Sequence, residues 1–538
     1  MEGAPDGFEA IVSAALRGRV GRRLVLVWEG DGAEGFFERW VGAGRCGRGD
    51  VWIFHVTGWV NASGPHVMKQ VAVGGRLIRV QRHPGWEPSD LMLSADVYVV
   101  ASDASSAKGD DYPVSRIARV ISSGGVLIGP STDAGWMLAA ERAGFVGNTG
   151  VVLGEGGWAR SFVGRSRESK WGGVGGGRVA VIGAGLAGSA VADGLASRGV
   201  EVEVFDGSGV GREASGNRAA VMVPMVAMDD GLPARLSRWG FGRVRGELDG
   251  DGVGVACGVL QLSTNERVRR VCEAGLGGVG FRVVGRGEAA ELCGVRGVDG
   301  GLWFAEAGWV NPARLCAARF SRHRGAVSFR TERVTGFERI DGLYALRGLG
   351  GIPLGGGYAA IVLATAGVPD WVPWEGRGVG MKLAWGRNVT LETESFSGLR
   401  AVVTGAGYCI PVAEGRVHLG ATYEFEAVAA MDDTAAVGSI WQKSVGFSQV
   451  DGPVGPWEVR RAVRVLTADR LPMMGGVGGC DGIFVACGLG SRGVVWSGVG
   501  AELIPSLVVA EPPMVPRSWI ESLDPGRFSR DNGRGRGG

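Results

Sequence analysis

The chain has 538 residues, among them 99 glycines, 18 tryptophans and 21 prolines, and a net charge of +2. A length of this order suggests about two to four domains, and 45% hydrophobic with 21% charged residues excludes a disordered chain. Glycine follows no three-residue period, which excludes collagen, and the near-neutral charge neither demands nor excludes a nucleic-acid partner.

Read from the N-terminus, the start MEGAPDGFEA lacks the charged-then-apolar pattern of a signal peptide. Leu24–Trp28 and Val51–Val56 are short apolar runs suited to buried strands, and Asp96–Ala101 and Gly125–Gly129 repeat the pattern. Helical stretches are expected near Val114–Ile121 and over Trp136–Ala143, where Gly144 supplies a C-cap. Strands alternating with helices predict a parallel sheet. Val163–Gly177, charged and then glycine-rich, reads as a linker. The expected organisation is therefore a domain over 1–162, a linker over 163–177, a second domain over 178–528 and a tail over 529–538. The polar end from Gly526 onward reads as frayed.

The second domain opens with a strand, Arg178–Ile182, that runs straight into GAGLAG. Gly183, Gly185 and Gly188 form a G-x-G-x-x-G whose glycines allow a tight turn, close approach to a pyrophosphate and close helix–strand packing. A helix from Leu186 to Ser197 then offers its free N–H groups to phosphate. Val200–Phe205 is the next strand, and Asp206 closes it about 20 residues past the motif, the position of an acid that binds ribose hydroxyls. Strand, turn, helix, strand and acid in that order predict a dinucleotide site. Ala214–Arg218 (ASGNR) adds a polar turn with Ser215, Gly216, Asn217 and Arg218. Near the C-terminus, strand Ile483–Ala486 leads into GLGSRG, with Gly490, Ser491 and Gly493, and then into a helix over Val499–Val509. A cofactor gripped from both ends of the chain suits a tightly held flavin, FAD, better than an exchangeable nicotinamide.

Eight cysteines form no C-x-x-C pair, which argues against a disulfide framework and makes a reducing cytoplasm the default compartment. The five histidines show no metal-ligand spacing, and no run of about 18 apolar residues is present, so neither a metal nor a membrane partner is expected. His418, between Val417 and Leu419, reads as a sheet residue rather than a base. Only five of the 57 basic residues are lysine. The joint excess of Gly, Arg, Val and Trp reads as compositional bias, so that only positioned glycines carry information.

Taken together, GAGLAG (183–188), ASGNR (214–218), CGVLQL (257–262), GWVNPARL (308–315), GYCIP (407–411), GATY (420–423), RVLTADRLP (464–472), GLGSRG (488–493) and LDPGRF (523–528) resemble a known family. Residues 178–528 are similar to FAD-dependent amine oxidases of the D-amino-acid oxidase and glycine oxidase type. They resemble more closely the oxidoreductase half of the bifunctional tRNA 5-methylaminomethyl-2-thiouridine biosynthesis family. The resemblance implies an α/β fold: a Rossmann-type FAD-binding domain with an antiparallel-sheet substrate subdomain at roughly 230–300 and 375–460. It implies oxidation of the C–N bond of a carboxymethylaminomethyl uridine in tRNA, leaving the aminomethyl form. Arg464 and Arg492 are then the candidates to hold the substrate carboxylate, with Tyr408 lining the pocket. An amine oxidase without an RNA substrate, or a protein that binds FAD and tRNA without turnover, are the alternatives. Ala468 stands where the family has an arginine, and Trp385–Val389 (WGRNV) departs from its usual R-G-Q-type sequence.

The N-terminal segment is similar to the methyltransferase half of the same family, a Rossmann-like domain here reduced in length, which would use S-adenosylmethionine. Asp96–Phe145 carries most of that match. Glu29, Gly30 and Gly32 remain of the methyl-donor loop, but its glycine spacing is lost; His55–Val56 replaces the expected ribose-binding acid, and Ala101, with Asp103 two residues on, replaces the acid beside the methyl acceptor. These departures together suggest an inactive methyltransferase.

Overall fold

In the computed structural model the described residues are 177–528, apart from 249–251, 276–279, 375–380, 426–431, 445–452, 454–455, 510–514 and 516, together with six strands before residue 177. The chain divides into two compact units, 1–172 with 512–518 and 173–511 with 519–538.

In the first unit, β1 (Leu24–Glu29), β2 (Val51–Thr57), β3 (Val67–Val73), β4 (Arg76–Pro84), β5 (Ala95–Val100) and β6 (Ile121–Ile128) form one sheet in the order β3-β4-β2-β1-β5-β6. All neighbours are parallel except β3, which runs antiparallel to β4 at one edge. The apolar runs of the sequence thus form the parallel core, while the β3–β4 hairpin lies outside the sequence expectation. Its strands mix apolar residues with Lys, Gln and Arg, and the signal that reveals it is Gly74-Gly75 between the two runs. Strand order reverses between β1 and β5, where Glu29 and Val100 are register partners. The helices expected near 114–121 and 136–143, the linker before Gly177, and Gly30, Gly32, Ala101 and Asp103 lie outside the described residues.

In the second unit, β7 (Arg178–Ile182), α1 (Leu186–Ala196) and β8 (Val202–Phe205) form a β-α-β unit with parallel strands. β7 is buried from Val179 to Ile182, as a strand covered on both faces must be. α1 is built largely of Ala, Gly and Ser and is buried everywhere but at Asp193, because small side chains let it lie between neighbouring layers.

The chain continues through β9 (Ala220–Met222), α2 (Leu232–Arg245) and β10 (Gly254–Val255) into β11 (Val259–Leu262), α3 (Glu266–Glu273), β12 (Arg282–Val284), α4 (Arg286–Cys293) and β13 (Gly301–Phe304). β14 (Gly308–Val310) joins β9 and β10 in a small antiparallel sheet. α5 (Pro312–Arg322) and β15 (Val327–Arg330) lead back to β8, and an antiparallel meander follows: β16 (Val334–Ile340), β17 (Leu343–Gly348) and β18 (Pro353–Leu363). A second excursion supplies β19 (Lys382–Glu392), β20 (Val402–Thr404), β21 (Tyr408–Ala413), β22 (Arg416–Gly420), α6 (Asp433–Ser444) and β23 (Trp457–Leu466). β24 (Met473–Gly476), β25 (Ile483–Cys487) and α7 (Gly493–Val508) return to the first sheet.

Two large sheets result. The first runs β15-β8-β7-β18-β17-β16, with β25 parallel to β18 and β24 paired to β25. The second runs β12-β13-β11-β20-β21-β22-β19-β23. It is antiparallel throughout except where β11 meets β20, so the expected antiparallel substrate sheet is a mixed one. It draws on 259–304, 382–420 and 457–466, whereas α2, placed by the sequence within the substrate portion, packs on α7. One face of this sheet is sealed by α4 and α6 over a core that includes Leu260, Leu391, Cys409 and Trp441. Period-two alternation turns Tyr408 and Arg464 to the other face.

Arg319 of α5 is wholly buried. It donates to both carboxylate oxygens of Glu247 at 2.8 and 2.9 Å, to the Leu186 carbonyl at 3.2 Å and to Ser497 Oγ at 3.1 Å. A buried cation needs such a complete set of acceptors, and here they tie α5 to the start of α1 and to α7.

Candidate active site

The turn after β7 shows why its glycines are needed. Gly183 has φ +111°, a conformation other residues avoid, and a Cβ there would strike the Ala364 carbonyl. A Cβ at Gly188 would strike the Gly183 carbonyl, so helix and turn touch backbone to backbone. Asp206 braces the same turn. Its Oδ2 accepts from the Ala184 N–H at 2.8 Å, and its Oδ1 accepts from Ser208 and Gly209 N–H at 2.8 and 3.1 Å. Ser215 Oγ accepts from the Leu186 N–H at 3.0 Å, at the first residue of α1.

A cavity of about 970 Å³ begins at this turn and extends to the second sheet. Gly183, Gly185, Asp206, Ser215 and Asn217 line its first end. Gly490, Ser491 and Gly493, in the turn between β25 and α7, line it further on, with Tyr408, Arg464 and Arg492. Three further expected cofactor residues stand off the wall. Gly188 lies beneath the turn, where it packs on Gly183. Gly216 and Arg218 point toward β23 instead: a Cβ at Gly216 would strike the Arg460 guanidinium, and Arg218 pairs with Glu458 at the surface. Arg218 is thus turned outward, held by Glu458 and not facing the cavity.

The cavity suits a dinucleotide cofactor on its own geometry. Glycine backbone forms one wall, a helix N-terminus faces it, and Asn217 Oδ1 is buried without a hydrogen-bond partner.

The substrate-sheet end is cationic. Arg464, on β23, lies with its guanidinium carbon 5.8 Å from the centre of the Tyr423 ring. Arg492 follows the turn after β25 and is half-buried; burial, reinforced by the charge of Arg267, pushes its pKa down to about 10. Among the described residues neither guanidinium has a carboxylate partner within salt-bridge distance. The acids on the cavity wall, Asp206, Glu213 and Glu332, flank the dinucleotide turn and the neighbouring strand ends. Burial pushes the Tyr408 phenol up to about 12, with Arg464 pulling it the other way, so at neutral pH it is a hydroxyl donor and not a base.

His418, on β22, is buried; its Nδ1 meets Thr390 Oγ1 at 2.8 Å, and its ring stacks on Tyr408. Burial, with the charge of Arg218 adding to it, lowers its pKa to about 3. It is a neutral sheet residue, as the sequence indicates. Ala468 is exposed, beside Asp469, which binds Arg527 at 2.8 Å. That ion pair joins the RVLTADRLP and LDPGRF motifs and holds Gly526–Phe528 in place, although the sequence reads these residues as frayed. In WGRNV, Arg387 pairs with Glu424 at 2.7 Å. Tyr423, Glu458 and Arg460 escape sequence reading. The signal for the last two is alternation: Glu458, Arg460 and Arg464 share one face of a strand in a stretch that otherwise resembles a solvated basic run.

Among the described residues no group of three or more His, Cys, Asp or Glu side chains is arranged for a metal, and no helix is long and apolar enough to cross a membrane.

Residues 178–507 match the family model described as DAO, FAD dependent oxidoreductase. The chain is 32% identical over 387 residues to the tRNA 5-methylaminomethyl-2-thiouridine biosynthesis bifunctional protein MnmC of Azoarcus sp. (strain BH72), covering 65% of this chain and 60% of that protein. It is 32% identical over 403 residues to the protein of the same name from Cupriavidus necator, again covering 65% and 60%. The chain thus spans about 60% of the length of these curated relatives. Among solved structures it is similar to glycine oxidase from Bacillus cereus ATCC 14579, with a TM-score of 0.51 and 18% identity over 62% of this chain and 98% of that one. It is also similar to L-proline dehydrogenase from P. horikoshii, with a TM-score of 0.53 and 16% identity over 66% and 98%. At these identities the likeness is one of fold.

Proposed function

The chain belongs to the FAD dependent oxidoreductase (DAO) family, and from that premise we propose that it oxidises the carboxymethylaminomethyl group of 5-carboxymethylaminomethyl-(2-thio)uridine in tRNA. The observation that supports this most directly is the pair of guanidinium groups, Arg464 and Arg492, that face one cavity without carboxylate partners among the described residues. A substrate carboxylate completes them with charge-assisted hydrogen bonds. The similarity to MnmC supports the choice of amine.

Gly183–Leu186 and Asp206 would hold the nucleotide portion of FAD, and Gly490–Gly493 the part nearer the second sheet. FAD, when bound, supplies the two-electron acceptor for the C–H bond next to the substrate nitrogen. The chain's own work is placement. Arg464 and Arg492 fix the carboxylate, so that the adjacent methylene is presented in one orientation. Tyr408, protonated at neutral pH, donates its hydroxyl hydrogen and leaves proton removal from the amine to solvent. The resulting C=N bond takes up water and breaks, releasing a two-carbon oxo acid and leaving the aminomethyl uridine.

The N-terminal unit, in this reading, is a methyltransferase-like sheet that no longer transfers methyl groups from S-adenosylmethionine. β2 carries His55 and Val56 where a ribose-binding acid would stand.

Mass spectrometry of tRNA nucleosides tests both statements. Incubating the protein and FAD with tRNA that carries the carboxymethylaminomethyl uridine should yield the aminomethyl form, and adding S-adenosylmethionine should yield no methylated product. Unchanged tRNA, alongside rapid flavin reduction by free glycine, would overturn the tRNA assignment in favour of a small-amine oxidase.

A further inference from the structure

We propose that Arg460 is a positioning residue that locks the cofactor loop, residues 212–217, onto the substrate sheet. One strand then carries both the tie to the cofactor loop and Arg464, one of the two arginines of the carboxylate clamp. The proposal rests on the FAD reading of the cavity and is independent of which amine is oxidised.

Arg460 lies on β23 opposite Asn388 and four residues before Arg464, on the same face of the strand. Its Nη2 donates to the Arg212 carbonyl at 2.5 Å and to the Glu213 carbonyl at 2.6 Å. The loop folds around this contact, with the Gly216 N–H donating to the Glu213 carbonyl at 3.0 Å. A Cβ at Gly216 would strike both the Arg460 guanidinium and the Arg212 carbonyl. The glycine of ASGNR therefore makes room for an arginine about 240 residues away in sequence, not for the cofactor. A second tie, Arg218 to Glu458, joins the end of the loop to the same strand, but both side chains are about half exposed.

The clamped loop carries cavity wall. Arg212, Glu213, Ser215 and Asn217 all line it, and Ser215 also caps α1. A guanidinium shared by two carbonyls is a charge-assisted contact of the strong kind, and it fixes the backbone on either side of the turn. Release of Arg460 would leave only the exposed Arg218–Glu458 pair between the loop and β23, loosen Ser215 and Asn217 at the nucleotide end, and let β23 shift at Arg464.

The test uses full-length protein stripped of flavin and titrated with FAD, read by flavin fluorescence. In Arg460→Met the FAD affinity should fall by about ten- to a hundredfold, the range for losing hydrogen bonds made by a charged group, while far-UV circular dichroism stays unchanged. Arg460→Lys should recover part of the loss, since it restores charge without the planar fork. Glu458→Gln should stay within about threefold of wild type, as an exposed ion pair contributes little. At saturating FAD, binding of glycolate as a carboxylate probe, read from the flavin spectrum, should also weaken in Arg460→Met. A folded Arg460→Met protein with FAD affinity within about twofold of wild type would overturn the proposal, since such a ratio is well under one hydrogen bond's worth of energy. If that variant does not fold, a lysine variant with wild-type FAD and glycolate affinity overturns it instead. Wild-type protein that leaves FAD fluorescence unchanged would overturn the cofactor reading, and the proposal with it.

Discussion

The Arg464 guanidinium lies over the Tyr423 ring, 5.8 Å from its centre, and both side chains line the cavity. The ring restrains the arginine without neutralising it, so the charge stays available to an anion. Replacing Arg464 with glutamine should raise KM for a carboxylate-bearing amine by about ten- to a hundredfold, the range for a hydrogen bond to a charged group. Tyr423→Leu, which leaves the charge but removes the ring, should cost about threefold, from roughly 0.5–1 kcal/mol of cation–π energy. Steady-state kinetics on both variants checks the order; equal effects would show that the Arg464 charge contributes nothing beyond its contact with the ring.

An alkaline limit on carboxylate binding is expected from Arg492. Burial holds its pKa at about 10, so the guanidinium is charged at neutral pH and loses its charge as the pH rises through that value. KM for a carboxylate substrate should therefore climb above about pH 10, whereas the methyl ester of the same amine, which carries no anion, should show no such limb. Arg492→Gln should remove the limb and raise KM at neutral pH. A profile of kcat/KM against pH for acid and ester separates this from general alkaline unfolding.

Gly188→Ala should abolish FAD retention. The added methyl has nowhere to go but into the Gly183 carbonyl, and displacing either backbone segment opens the turn. The purified variant should lack visible flavin absorbance. Because a ligand that binds only the folded state adds RT ln(1 + [L]/Kd) to stability, wild-type protein should melt at a higher temperature with saturating FAD, and the variant should not. A flavin-bound Gly188→Ala protein would contradict this account of the turn.

His418 makes the fold sensitive to acid. Its pKa is near 6.5 in an unfolded chain and about 3 when folded. Between these values the unfolded chain binds more protons, so stability rises with pH, and it is lost as the pH falls from about 6.5 toward 3. The slope from one such group is at most about 1.4 kcal/mol per pH unit. His418→Gln, which cannot titrate, should lose less melting temperature than wild type between about pH 7.5 and pH 5.5.

The dinucleotide site was legible because its parts are adjacent in sequence. Strand, glycine turn, helix, strand and Asp206 occupy one short stretch, and each acts on its neighbours. The second turn, at 488–493, was legible for the same reason, although α7 begins at Gly493, earlier than the expected Val499. Arg464, Arg492 and Tyr408 do meet in one cavity, but resemblance and not spacing brought them together. What sequence reading missed depends on pairing at a distance. Arg460 looks like part of a basic run until β23 is set against the 212–218 loop. α2 looks like part of the substrate portion until α7, some 250 residues later, is packed on it. The glycines were also undervalued. Gly294, Gly342 and Gly415, far from either turn, hold positive φ and so are not mere drift.

The position of β25 governs when this molecule can form. β18 lies between β7 and β25, with both neighbours parallel to it. The dinucleotide turn leaves the ribosome roughly 300 residues before β25, an interval of about 15–60 s at ordinary rates of synthesis. Through that interval Ile361–Leu363, the end of β18 beyond its pairing with β17, has one unpaired edge, the kind of surface on which nascent chains associate with one another. Production of intact protein should therefore depend on chaperone supply during the last part of translation, and a chain stopped before Ile483 should aggregate rather than accumulate as a smaller flavoprotein.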